Sequence, residues 1–111
     1  MALVLLNTTI VTVPGRYWLL DRTLADALTL VEIYSDDIIS AIGHESTAQI
    51  LTELLGITVP VNRIEYSHKL EDVCLCFKLK GRPPEGKILT VEEVKAVGYD
   101  FYTLSYRPFM V

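Results

Sequence analysis

Residues 40–56, SAIGHESTAQILTELLG, decide how the chain is read. They suggest a strand end, a tight turn that carries a histidine, and a capped amphipathic helix. Ser46 is suited to the N-cap, and Gln49 three residues on completes a capping box. Leu51, Leu54 and Leu55 follow at helical spacing, and Gly56 stands where a helix C-terminus favours positive φ. His44 then lies just ahead of the helix, beside first-turn N–H groups that have no intrahelical partner. Those groups and the helix dipole favour an anion. A titratable imidazole beside an anion seat suits phosphate chemistry.

Upstream, residues 3–6 form a short apolar run that reads as a buried strand, followed by the small polar residues Asn7, Thr8 and Thr9. Pro14 and Gly15 signal a turn, and residues 16–20 suit a second strand, compatible with the return arm of a hairpin. Thr23 is placed to cap a helix running to Ile33, with Leu24, Ala27, Leu28 and Val31 as its apolar stripe. Residues 38–42 are the next strand. Downstream, residues 63–67 and 73–80 alternate as strands should, with 68–72 between them as a hairpin loop. Residues 81–86, GRPPEG, make a proline-stiffened loop. Thr90 and Glu93 form a second capping box, Gly98 ends that helix, and residues 99–106 are a last strand. The order β-β-α-β-α-β-β-α-β predicts an α/β fold. Its mixed sheet has about five to six strands flanked by three helices, with residues 1–111 as one domain.

Half of the residues are hydrophobic, which excludes disorder, and no apolar run is long enough to span a membrane. The opening MALVLLN lacks a basic n-region, so a buried strand and a cytoplasmic protein are expected. Ten basic residues stand against fourteen acidic ones, for a net charge of −4. A protein that tracks long nucleic acid carries a basic face, so long nucleic acid is not the expected partner. A phosphate ligand, if there is one, is small and held by a few arginines. Cys74 and Cys76 are read as two buried small hydrophobes on opposite faces of their strand, with no second pair to build a metal site. No zinc-ligand pattern and no glycine-rich nucleotide loop is present.

His44 is the candidate general acid, and Gly43 before it lets a ligand or backbone approach closely. A lone histidine is more often structural. Arg63 and Arg82 are candidate phosphate ligands, Arg82 the better positioned because its loop is stiff. Glu85 is an ordinary surface carboxylate, a partner for Arg82, or a group that orients His44 or moves a proton. His68 is read as an exposed loop residue without a role.

Three blocks in order, residues 43–49 (GHESTAQ), 60–63 (PVNR) and 80–93 (KGRPPEGKILTVEE), resemble the small viral and mobile-element ring nucleases that act as type III anti-CRISPR proteins. Residues 5–9 (LLNTT) fit the bacterial branch. The resemblance implies a homodimer that binds cyclic tetra-adenylate and cleaves it, without metal or cofactor, to di-adenylates ending in a 2′,3′-cyclic phosphate. By position His44 matches the family's catalytic histidine, Glu85 its glutamate and Arg82 the arginine beside the scissile phosphate. Arg63 matches a further pocket arginine. Ser46 and Thr47 fall where the helix start meets the ligand, next to Gly43. Asn7 falls where the first strand lines the pocket, with Thr8 following it. The Pro83-Pro84 pair departs from archaeal viral versions of this loop. Two other readings stand beside this one: a non-catalytic sensor or sink for the cyclic nucleotide, and an interaction protein with no nucleotide ligand.

Overall fold

Among the described residues, two of three helices begin where a side chain closes the first turn. The computed structural model describes residues 2–81 and 89–107. In helix α1 (Leu24–Ile33), Thr23 Oγ1 accepts from the Asp26 N–H at 3.1 Å, and Asp26 Oδ2 accepts from the Thr23 N–H at 2.9 Å. These bonds, the Thr23 backbone N–H first, hold the Asp26 carboxyl below its ordinary range. Helix α3 (Val91–Val97) repeats the device with Thr90 and Glu93, both bonds 3.2 Å, and stops at Gly98 as the sequence predicts.

Helix α2 (Glu45–Leu55) differs. Its N-cap is His44, not Ser46, and Gln49 lies exposed on a middle turn, so the Ser46–Gln49 box does not form. Burial overrides the local signal: Ala41 and Ile42 are drawn into the core, which leaves only Gly43 for the turn. The C-terminus follows expectation, with Gly56 at φ 70°. A Cβ at Gly56 meets nothing within 4 Å, so Gly56→Ala carries only the left-handed backbone cost. We expect a loss of about 1–2 kcal/mol in urea unfolding; an unchanged midpoint would show that the helix end relaxes freely.

Among the described residues the sheet has five strands in the order β2-β5-β4-β1-β3: β1 (Leu3–Leu6), β2 (Arg16–Arg22), β3 (Ile38–Ser40), β4 (Val73–Leu79) and β5 (Tyr99–Arg107). Buried β1 runs parallel to both neighbours, with Leu3 opposite Ile38 on one side and Val73 on the other. β5 is antiparallel to β4 and β2. The fold is therefore α/β with a mixed sheet, as predicted. Three expectations fail. β2 is not the return arm of a hairpin with β1; residues 7–15 carry the chain to the far edge, where β2 pairs with β5. Residues 63–67 are not a strand, because β1 and β5 already take both edges of β4 and a turn at Arg63 (Ile64 N–H to Asn62 O, 3.0 Å) breaks the extended run. Residues 68–72 are accordingly no hairpin loop.

All three helices lie on one face of the sheet. Leu3, Leu5, Leu75, Phe77 and Phe101 meet Ala27 and Val31 of α1, Leu51, Leu54 and Leu55 of α2, and Val94 of α3. Leu28, expected in the α1 stripe, is 41 % exposed. The other face carries a smaller cluster of Val4, Leu6, Ala41, Cys74, Cys76 and Leu104, covered by Tyr17 and Tyr66. Residues two apart in a strand share a face, so Cys74 and Cys76 lie together there, not on opposite faces. Burial pushes both thiols up to about 12, so at neutral pH they are inert apolar fillers. Among the described residues no helix is long and apolar enough to cross a membrane.

Candidate functional site

The carboxyl ends of β1 and β3 lie side by side, and the chain leaves both through residues that build a cavity of about 470 Å³. Ligands of open α/β sheets bind at such strand ends. Asn7 follows β1 directly and Thr8 follows Asn7; Gly43 and His44 come from the turn after β3; Arg63 arrives from the irregular stretch beyond α2. Five sequence-predicted residues thus meet around one space. Thr47 lies on the other side of Asn7, lining a recess of about 680 Å³ with Phe77 and Lys78. Ser46 is half-buried in the first turn of α2 and lines neither space. Arg82 and Glu85, with Pro83 and Pro84, lie outside the described residues.

Arg63 is held where it stands. Its Nε–H donates to the Gly43 carbonyl at 2.7 Å, which leaves the guanidinium Nη groups for a ligand. Gly43 is needed for that approach, not for its backbone angle, since its φ is not positive: a Cβ would come 3.2 Å from Arg63 Cγ. Arg63's neighbours tie it to the continuation of β3. The Asn62 N–H donates to Ile42 O and its Nδ2 to Ser40 O, both at 2.8 Å; Ser40 Oγ–H donates to Pro60 O at 2.6 Å. Sequence reasoning missed Asn62 and Ser40 as positioning residues. The only available signal was an amide directly beside a candidate ligand arginine.

His44 is exposed, and its side chain makes no capping hydrogen bond; only its carbonyl joins the helix, accepting from Ala48 N–H at 3.0 Å. The first-turn N–H groups of α2 therefore have no cap from the residue placed to supply one. They and the dipole leave an electropositive spot next to an imidazole and a guanidinium. Asn7 adds an amide that can both donate and accept.

The remaining wall comes from two irregular stretches laced together. Thr12 Oγ1–H donates to Tyr66 O at 2.8 Å, and Ile10 N–H donates to Thr8 Oγ1 at 3.2 Å. His68 is 6 % exposed, which corrects the reading of an exposed loop residue. Tyr17 and Tyr66 each meet its ring in a T-shaped contact, with centroids at 5.1 and 5.2 Å. Its Nδ1 lies 3.7 Å from Cys74 Sγ and its Nε2 lies 3.5 Å from Ile10 O. Burial keeps the Cys74 thiol protonated at neutral pH, so it can donate to Nδ1. Tyr66 in turn donates to Asp72 Oδ2 at 2.6 Å, and Asp72 Oδ1 accepts from Ala2 N–H at 3.1 Å. Burial, with that bond to Asp72, pushes the Tyr66 hydroxyl pKa well up, so it stays a neutral donor.

Residues 3–101 match the sequence profile of the STIV B116-like family. The chain belongs to that family. Among its relatives is the uncharacterized protein ORF117 of Acidianus two-tailed virus, 40 % identical over 108 residues and covering 92 % of this chain and 91 % of the viral protein. Another is the uncharacterized protein YddF of Bacillus subtilis (strain 168), 37 % identical over 105 residues, or 95 % and 97 % of the two chains. The family fold is seen in B116 of Sulfolobus turreted icosahedral virus, which superposes with a TM-score of 0.80 at 24 % identity over 96 % of this chain and all of that one. That likeness concerns the fold alone. Viral and bacterial members of the family share nearly the whole length of this chain.

Proposed function

We propose that the protein is a metal-independent ring nuclease that binds cyclic tetra-adenylate as a homodimer and cleaves it to di-adenylates ending in a 2′,3′-cyclic phosphate. The observation that carries this reading is the meeting of His44, the tethered Arg63 and Asn7 at the uncapped start of α2. A phosphate seated there meets backbone N–H donors, a guanidinium and a proton donor at once. The protein needs no nucleophile of its own. The ribose 2′-oxygen attacks the adjacent phosphorus, the P–O5′ bond breaks, and the imidazolium of His44 gives its proton to the departing 5′-oxygen. Glu85 is the carboxylate assigned to the 2′-hydroxyl proton, and Arg82 the second guanidinium on the phosphoryl oxygens. Alignment of the hydroxyl and stabilisation of charge on phosphorus do the rest.

Two further observations fit. A net charge of −4 suits a compact ring better than a long polyanion. Apolar side chains stand bare near the cavity, Ile10 at 71 % exposure and Ile64 at 45 %, as expected of a rim covered when a ring is enclosed between two copies. A two-fold dimer then places equivalent groups at opposite phosphates of the ring. Removal of this messenger switches off type III CRISPR signalling in the cytoplasm.

Incubation of stoichiometric protein with cyclic tetra-adenylate in EDTA tests the reading, followed by chromatography of the products. We expect conversion to di-adenylates with a cyclic phosphate terminus. Bound but intact ring identifies a sink, and absence of binding by calorimetry rejects the cyclic nucleotide altogether.

A further inference from the structure

Glu65 is the one acidic residue among the described residues that line the His44–Arg63 cavity. Among the described residues no ion pair or hydrogen bond occupies its carboxylate. Its position is unexpected in a cavity whose cap, guanidinium and imidazole all favour an anion. A carboxylate beside a tetra-anionic ring opposes binding unless the ligand brings it a donor. Apart from the sugar hydroxyls, a cyclic oligoadenylate carries a single kind of donor, the exocyclic 6-amino group of adenine. Glu65 is exposed, and the same cavity is lined by the apolar Ile10, Ile64, Leu6 and Ala41 and by Tyr66, which suit a base rather than a phosphate.

We propose that Glu65 determines base specificity at this site: its carboxylate accepts a hydrogen bond from the adenine 6-amino group while Ile10 and Ile64 border the base. The assignment rests on the cyclic oligoadenylate reading above. It gives the cavity two tasks: phosphate for Arg63 and the start of α2, and base for the Glu65 carboxylate. A site built around an acceptor rejects an analogue without the donor, because the carboxylate then loses water and gains nothing.

Competition between two rings tests the assignment. Cyclic tetra-adenylate and the same ring made from purine riboside, which is adenosine without its 6-amino group, compete in equimolar amounts for limiting protein. Mass spectrometry counts how much of each is retained or cleaved. We expect the unmodified protein to favour the adenine ring by about 10–100-fold, the range of a hydrogen bond to a charged group. Glu65→Gln, a neutral isostere, is expected to bring the ratio to within about threefold, and Glu65→Ala to abolish it. A carboxylate that only supports the wall would weaken both rings equally, so an unchanged ratio in Glu65→Gln and Glu65→Ala overturns the assignment. So does an unmodified protein that takes both rings alike. If the unmodified protein takes neither ring, the nucleotide reading has itself failed, and the base contact fails with it.

Discussion

His44→Ala is expected to slow cleavage of cyclic tetra-adenylate by about 10²–10⁴-fold, the usual worth of a positioned general acid, while affinity changes little. In the proposed mechanism the imidazole acts on the leaving oxygen, whose charge grows only as the P–O5′ bond breaks, so its loss falls on the transition state. In the same proposal, ground-state binding draws on groups that this substitution leaves in place: the tethered Arg63 and the backbone N–H groups of α2. Nor should the fold suffer. His44 is exposed, its side chain makes no capping bond, and only its backbone carbonyl joins the helix. Single-turnover cleavage and calorimetry with the same preparation separate the two effects. A native cleavage rate in His44→Ala removes the acid assignment; a parallel collapse of affinity makes the imidazole a ligand rather than an acid.

The second large effect concerns the scaffold. Phe101 is 2 % exposed on β5 and lies directly opposite Phe77 on β4, with ring centroids 5.4 Å apart. Tyr99 meets Phe101 edge-on at 5.6 Å, so three rings form one aromatic cluster under the helices. Phe101→Ala leaves a hole that close-packed neighbours fill only in part. We expect a loss of about 3–5 kcal/mol in urea unfolding, a large fraction of an ordinary domain's stability. Leu19→Ala is the control: Leu19 is 51 % exposed on edge strand β2, and a change within about 0.5 kcal/mol is expected. If the two cost the same, the aromatic cluster is not the centre of the core.

What could be read from the sequence was what local chemistry decides. Thr23 and Thr90 announce α1 and α3 because a cap is a contact between residues three apart, and Gly56 marks the end of α2 by its backbone freedom. Asn7, Gly43, His44 and Arg63 were named from motifs, and the cavity joins them. The failures are non-local. Ser46 has the better cap chemistry, yet burial of Ala41 and Ile42 moves the helix start to His44. The pairing of β2 with β5 depends on residues more than eighty positions apart, such as Leu19 and Leu104. His68 shows nothing in sequence that separates a loop histidine from a buried one. Its environment is made by Tyr17, Tyr66 and Cys74, which come from three different elements or stretches.

The start of α2 bears on how far this protein can be made sturdier. Position 44 holds a residue whose ring leaves the helix open, where serine, aspartate or asparagine would close it and add about 1 kcal/mol. Any search for heat-resistant variants would therefore drift toward those three residues. Under the proposed function, each of them would fill with its own oxygen the place where the phosphate sits, and the sturdier molecule would cleave nothing. Stability and the proposed activity therefore compete for the same few N–H groups at the start of this helix.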